Sequence, residues 1–281
     1  MRRSRRLIAG LALAVGLALP VAADPPRRVV SINLCTDQLA MMLAAPGQLV
    51  SVSHLAADPY SSAMAEDGAR YPANHGLAEE VFLLRPDLVL GGRYTAQATV
   101  DLLERLGVPV VTLPPVRELD EIPEHLRIIG AALGRTPEAE ALVAQFQADL
   151  AALSAPEGAT APLGALYYAN GYSLGARSLA GQVLARAGFR NVAAEAGLTG
   201  GGHLPLEALI LANPDLVLRG TPYPGQSRSE EILTHPALAA LGQGAPAPRL
   251  TDRDWICGTP RVIHALAELA QTRRALTGEP R

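Results

Sequence analysis

The sequence predicts an α/β protein of two similar lobes, each a parallel-rich sheet flanked by helices, joined by one long rigid backbone helix, with a cleft between the lobes. Three observations predict it. Glu79–Leu90 reads Glu-Glu-Val-Phe-Leu-Leu-Arg-Pro-Asp-Leu-Val-Leu and returns 128 residues later at Glu207–Leu218 as Glu-Ala-Leu-Ile-Leu-Ala-Asn-Pro-Asp-Leu-Val-Leu, identical at seven of twelve positions. A repeat of so long a period is no solenoid and indicates duplicated α/β lobes. Within each copy Pro stops a short helix, because it disfavours helical geometry at the residue before it, and the apolar run that follows reads as a strand buried on both faces. Between the copies Thr136 to about Ser154 carries Leu142, Phe146, Leu150 and Leu153 at helical spacing behind Pro137 and two acids that suit a helix N-terminus. At 1.5 Å per residue, roughly 18 residues span about 27 Å, enough to bridge two lobes.

The remaining elements follow in order. Arg28–Ile32 reads as a strand, Asn33–Asp37 as a turn, Gln38–Ala44 as a helix and Val50–His54 as a second strand. A turn cluster at 58–62 leads to the first copy. Beyond it Thr95–Leu106 is helical, Gly107 ends the helix and Val108–Leu113 is a strand, giving the alternation of a parallel sheet with right-handed crossovers. Leu119, Ile122, Leu126, Ile129 and Leu133 step by three and four, with Pro123 tolerated in the first turn. In the second half Leu163–Tyr168 is a strand, Ala169–Ser178 a loop and Leu179–Ala187 a helix. The second copy, a short helix at His235–Leu241, a strand at Arg249–Thr251 and a terminal helix with Val262, Leu266 and Leu269 on one face complete the chain. The boundaries expected are 1–23 for a signal peptide, 24–134 for the N-terminal lobe, 135–157 for the inter-lobe helix and 158–281 for the C-terminal lobe.

The first 23 residues have Arg2, Arg3, Arg5 and Arg6, an apolar run from Leu7 to Leu19, and small residues before Asp24, the pattern of a secretory signal. That apolar run is too short to span a bilayer, so a chain exported to the periplasm is expected. Without it, 20 basic residues face 27 acidic ones, a net charge near −7 that disfavours nucleic acid as a partner.

Two lobes, a rigid helix, an export signal and the repeated Pro-Asp-Leu-Val-Leu together resemble the periplasmic solute-binding proteins of ABC importers, in the helical-backbone class that binds ferric siderophores, haem and vitamin B12. The most specific matching pieces are Arg28-Val29-Val30-Ser31, Leu84-Arg85-Pro86-Asp87-Leu88-Val89, Leu106-Gly107-Val108-Pro109-Val110 and Asp254-Trp255. The resemblance implies a monomer with no catalysis and no cofactor of its own, whose partners are a small-molecule metal chelate (siderophore, haem or corrinoid) and an ABC transporter membrane permease. It also implies that Glu79 and Glu207, the first residues of the two copies, dock onto arginines of that permease. Their equivalent places in two similar lobes suit a two-point contact with a two-fold partner.

Ligands of parallel α/β sheets sit beyond the carboxyl ends of the strands. That rule gathers Tyr60, Arg93, Tyr94, Tyr168, Tyr172, Asp254 and Trp255 as ligand-binding candidates, and their aromatics suit a bulky, partly apolar ligand. Trp255 and Asp254 resemble the cleft loop of the B12 binders, whereas Gly92 and Gly201 stand near places where that group has further tryptophans. His75 and His203 are also 128 apart and are candidate metal contacts, although no His-x-x-His or acidic cluster accompanies them. Cys35 and Cys257 fall on the cleft side of opposite halves; in an oxidising compartment they form a disulfide tying the lobes, a pair of thiols at the ligand, or two unpaired residues without a role.

A second reading is a secreted serine esterase of the α/β-hydrolase type. Gly171-Tyr172-Ser173-Leu174-Gly175 matches the G-x-S-x-G elbow, with Asp252 or Asp254 and His264 downstream in the Ser, Asp, His order. Ala169-Asn170 before the motif and Ala176-Arg177-Ser178 after it leave Ser173 away from a strand-to-helix junction, and that fold does not explain the repeat.

Overall fold

The computed structural model describes residues 24–222, 227–241 and 250–279. The expected signal peptide lies outside them, as does Arg249; Leu250 and Thr251, the rest of the strand expected there, are not in a strand. The first lobe runs β1 (Val29–Ser31), α1 (Leu34–Leu43), β2 (Leu49–Ser53), α2 (Ala65–Gly68), β3 (Ala73–Asn74), α3 (Ala78–Leu83), β4 (Leu88–Gly92), α4 (Gln97–Arg105) and β5 (Val110–Leu113). All five strands are parallel, in the order β3-β2-β1-β4-β5. The expected turn at Asn33–Asp37 is instead the first turn of α1. Asn33 caps that helix by accepting the Cys35 N–H at 3.0 Å, which satisfies an otherwise unpaired donor and starts the helix four residues early.

Two helices follow, α5 (Ile122–Leu133) and α6 (Thr136–Leu153). Gly134 ends α5 in the left-handed region at φ 69°, and α5 folds back against α6 so closely that a Cβ on Gly130 would lie 2.3 Å from that of Ala139. The second lobe contains β6 (Leu163–Tyr167), β7 (Tyr172–Leu174), α7 (Leu179–Arg186), β8 (Arg190–Asn191), α8 (Val192–Glu195), β9 (Gly201–His203), α9 (Leu206–Ala212), β10 (Leu216–Arg219), α10 (Pro236–Ala239) and α11 (Val262–Thr277). β10 and β8 lie parallel to β6, while β7 and β9 are antiparallel additions. The stretch expected as the loop Ala169–Ser178 therefore holds a strand. Asn170 (φ 54°) and Gly171 (φ 68°) reverse the chain, and the Tyr168 N–H donates to the Tyr172 carbonyl at 2.8 Å across the turn.

The repeat has one structural role in both lobes. Arg85 and Asn213 end α3 and α9 with left-handed φ values of 49° and 46°. The carboxylate of Asp87 then accepts the N–H groups of Arg27 and Arg28 at 2.7 and 2.8 Å, and that of Asp215 accepts the Leu163 N–H at 2.7 Å. Each Asp thus pins the incoming strand to the neighbour that opens its lobe. Side chains of the strand alternate between two apolar layers, as a sheet covered on both faces requires. Leu88, Leu90, Leu216 and Leu218 join a central core with Leu166, α1, α5, α6 and α11; Val89 packs outward with Val81 of α3, and Val217 with Leu209 of α9. α3 and α9 are therefore the outer cover of their sheets.

Candidate ligand cleft

The strand ends that face the cleft are those of β1, β4 and β6, where the sheet order reverses or the chain crosses between lobes. Two cavities lie there, of about 640 Å³ and about 110 Å³, and both are bounded by Val116 and Ile256. The larger has an aromatic wall of Tyr168, Tyr172 and Trp255, with Asp252, Arg117 and Arg177 around it. The smaller is bounded by Asn33, Cys35, Gly92, Arg93, Tyr94 and His125. Cys35 and Cys257 are disulfide-bonded with Cα atoms 5.1 Å apart, and Arg253 Nη1 donates to the Pro59 carbonyl at 3.0 Å. The 252–259 segment is thereby laid across from the second lobe onto the first, with Gly258 so close to Val116 that a Cβ would lie 2.2 Å away.

Polarity in the larger cavity is unusual. The Tyr168 hydroxyl and Trp255 Nε1 are both fully buried and without a hydrogen-bond partner among the described residues. Burial, and after it the Asp252 charge, push the Tyr168 phenol well above its ordinary value; Trp255 offsets part of that rise, but no bond of good geometry joins the two. Asp252 accepts the Thr221 N–H at 3.1 Å, and burial raises its carboxyl above the usual range, with the nearby Asp254 charge adding to it. An unsatisfied buried polar atom costs about 1–3 kcal/mol, and these two lie beside the cavity. Arg117 and Arg177 are exposed on the rim, and Arg177 Nε lies 3.7 Å from Glu118. Tyr172 lies over β9, where a Cβ on Gly201 would stand 1.6 Å from its hydroxyl, so the tyrosine occupies the place a larger residue at 201 would fill.

Other expected residues fall elsewhere. Asp254, expected at the ligand, turns away: it accepts the Thr251 N–H at 2.8 Å as the third residue of a capping box and faces His264 Nδ1 at 3.4 Å. Its neighbour Asp252 is the carboxylate on the cavity. Tyr60 and its turn bound neither cavity, and the carbonyl of the neighbouring Pro59 accepts from Arg253 of the cleft segment. His75 stacks on His54 at 5.0 Å and approaches Glu80 Oε1 at 3.4 Å, while His203 Nδ1 donates to the Asn170 carbonyl at 3.0 Å. The two histidines bound neither cavity, and no cluster of three metal-ligating side chains occurs among the described residues. Glu79 and Glu207 are exposed in the first turns of α3 and α9 and have no hydrogen bond or ion pair among the described residues. Ser173 is no elbow nucleophile: it is fully buried inside β7, and its hydroxyl donates to the Leu166 carbonyl at 2.5 Å.

Arg117, Arg177 and Asp252 are the cavity groups that the strand-end rule passed over. Arg117 follows the end of β5 by four residues and was within its reach; Arg177 was not, because the hairpin that brings it round was unseen.

Comparison with known proteins agrees with this geometry. The model of the family described as periplasmic binding protein matches residues 29–242. A cobalamin-binding protein of Halobacterium salinarum is 28% identical over 200 residues, 69% of this chain but 54% of its own length, so the chain spans about half of that relative. Among solved structures, the periplasmic haem-binding protein RhuT of Roseiflexus sp. RS-1 in apo form superposes with a TM-score of 0.71 at 25% identity, covering 88% of this chain and 97% of the other. The periplasmic vitamin B12 binding protein BtuF of Vibrio cholerae shares the fold at a TM-score of 0.65 and 16% identity, covering 91% and 99%. With the family model matching residues 29–242, well over half of the chain, the chain belongs to the periplasmic binding protein family.

Proposed function

We propose that the chain is the periplasmic component of an ABC import system that captures a metal chelate in the cleft and delivers it to a membrane permease. The observation that carries this reading is the 640 Å³ cavity between the lobes, with Tyr168, Tyr172 and Trp255 on its wall and arginines on its rim, in a family of binding proteins. Flat aromatic walls suit a large conjugated or partly apolar ligand, and Arg117 and Arg177 suit acidic side groups on it. Of the three chelates considered, ferric siderophore, haem and cobalamin, haem meets both requirements through its macrocycle and its two carboxylates. A haem-binding protein and a cobalamin-binding protein among the relatives support a ligand built on such a macrocycle. Tyr168, Tyr172, Trp255, Arg93 and Tyr94 are the proposed ligand contacts, joined by Arg117, Arg177 and Asp252. No helix among the described residues is long and apolar enough to cross a membrane, and residues 1–23 are proposed as the export signal.

On the same reading the lobes are residues 24–134 and 158–281, the bridge is 135–157, and Glu79 and Glu207 meet basic groups of the permease. The test is to purify the protein from its native periplasm and record its absorption spectrum, then titrate stripped protein with haem, cyanocobalamin and ferric hydroxamate. A bound chromophore, or a rise in melting temperature with one of the three, supports the reading. A colourless protein that none of them stabilises refutes the ligand class.

A further inference from the structure

The larger cavity holds a carboxyl that no cation of the described residues neutralises. Asp252 lies half-buried on its wall, and its Oδ2 accepts the Thr221 N–H at 3.1 Å. A Cβ on Gly220 would lie 2.8 Å from Tyr168 Cδ1 and 3.6 Å from Asp252 Oδ2, so the carboxyl and the tyrosine ring flank the same glycine. Among the described residues Oδ1 has no hydrogen bond and neither oxygen has an ion pair. The charged groups around it are engaged elsewhere or share its sign. Arg253, next in the chain, turns away to the Pro59 carbonyl at 3.0 Å. Asp254, two residues on, is held by the Thr251 N–H and faces His264 of α11 at 3.4 Å. Arg177 approaches Glu118 at 3.7 Å, Arg117 stands on the rim, and Arg219 at the end of β10 is exposed and has no ion pair among the described residues. A carboxylate drawn partly out of water beside another of its own charge is costly to keep ionised, and burial raises the Asp252 carboxyl above the usual range.

An acidic ligand sharpens this conflict. Arg117 and Arg177 suit carboxylate groups, yet a ligand carboxylate that they draw in meets Asp252 in the same cavity. Two carboxyl groups sharing a site poor in water do not both ionise; they share a proton. We propose, resting on the importer reading above, that Asp252 selects acidic ligands: it holds a proton in the complex and donates it from Oδ1 to a carboxylate oxygen of the ligand, so that capture takes up a proton from water. Oδ2 is committed to the Thr221 N–H as an acceptor, which leaves Oδ1 to carry the proton. A hydrogen bond from a neutral acid to a carboxylate is short and strong. An ionised Asp252 would instead select a cationic group, and a neutral corrinoid would gain no such charge-assisted bond.

The test uses haem as the probe and quenching of Trp255, the only tryptophan in the chain, to read affinity from about pH 5 to about pH 8. Wild type is expected to weaken as pH rises, by at most about tenfold per pH unit, the slope of one proton. Asp252→Asn, which donates at every pH, is expected to lack that slope, so its affinity relative to wild type rises about tenfold or more across the range. Taking the ratio cancels the titrations of His264, Asp254 and the haem carboxylates, which both proteins share. Calorimetry of wild type in two buffers of different ionisation enthalpy counts the protons without a variant, and uptake of up to about one per haem near about pH 7 is expected. Haem binding without proton uptake, or a ratio that stays flat with pH, overturns the proposal and leaves the importer reading standing. A ratio that falls as pH rises means that the ionised carboxylate assists the ligand, and it overturns the proposal as well. Wild type that binds cyanocobalamin or ferric hydroxamate but not haem does the same. If none of the three binds, both readings fall.

Discussion

Replacing Cys35 and Cys257 together with serine removes the covalent bond that ties the 252–259 segment to the start of α1. The two residues are separated by 222 positions, so the bond closes most of the described chain into one loop. Constraining so long a loop raises the free energy of the unfolded chain by about 5 kcal/mol at 25 °C, because closure entropy grows only with the logarithm of length. Residual structure in the unfolded chain reduces what is measured to about 2–4 kcal/mol, still a large share of the 5–15 kcal/mol or so that holds a domain folded. The assay is guanidinium unfolding followed by circular dichroism on oxidised wild type, wild type with a phosphine reductant, and the double serine variant. The last two are expected to share one midpoint, below that of the oxidised protein by the stated amount. Their affinity for the proposed ligand is expected to fall as well, because Trp255 and Asp252 sit on the released segment. A reduced protein that unfolds at the oxidised midpoint would refute the account of the bond as a clamp.

Asp37 is fully buried and accepts the N–H and hydroxyl of Ser53; burial raises its pKa from 3.8 to about 6. With the folded value above the unfolded one, its contribution to stability is complete below about pH 4 and is lost as pH rises through about 6. Asp37→Asn should therefore exceed wild type by up to about 3 kcal/mol near pH 7.5 and match it near pH 4, read from urea midpoints; a difference that does not vary with pH contradicts this. Tyr168→Phe should stabilise the empty protein by about 1 kcal/mol or more, since it removes a buried hydroxyl without a partner among the described residues, yet weaken binding of the proposed ligand about tenfold by calorimetry; changes of the same sign would deny that hydroxyl a ligand role. Gly201→Ala should displace the Tyr172 ring and weaken ligand binding while moving the melting temperature by only about 1–2 °C, because that tyrosine is largely exposed; unaltered affinity would remove Tyr172 from the wall.

The parts of the fold that were legible in the sequence are those with a period or a duplicate. The Leu-Val-Leu strands were readable as doubly buried because both faces are apolar, and the copies were readable as equivalent because Pro-Asp recurs. The structure adds the reason for the Asp, which holds the strand it precedes to the strand that opens its lobe. β7 and β9 were hidden. Three residues such as Tyr172–Leu174 complete barely one alternation, too few to separate a strand from a loop, and the hairpin is set by Asn170 and Gly171, which read equally well as any turn. α1 begins earlier than expected for a related reason: the same side-chain oxygen that makes asparagine a turn former makes Asn33 a helix cap.

At the site, position along the strands was legible and orientation was not. Beyond the strand ends, Tyr168, Tyr172 and Trp255 do reach one cavity, but the choice between Asp252 and Asp254 turns on a local hydrogen bond. Thr251 and Asp254 stand three apart, the spacing of a capping box, so the second carboxylate is consumed by its own backbone and only the first is left for the cavity. The same accounting applies throughout the cleft. Asp254, His203 and Ser173 each have a partner inside the chain, whereas the Tyr168 hydroxyl and Trp255 Nε1 have none among the described residues although both are buried. Burying two such atoms side by side costs about 1–3 kcal/mol each. On the proposed function, a ligand that accepts from the indole and bonds the phenol offsets that cost, and the same proposal gives this wall of the cavity specificity and the arginine rim charge selection.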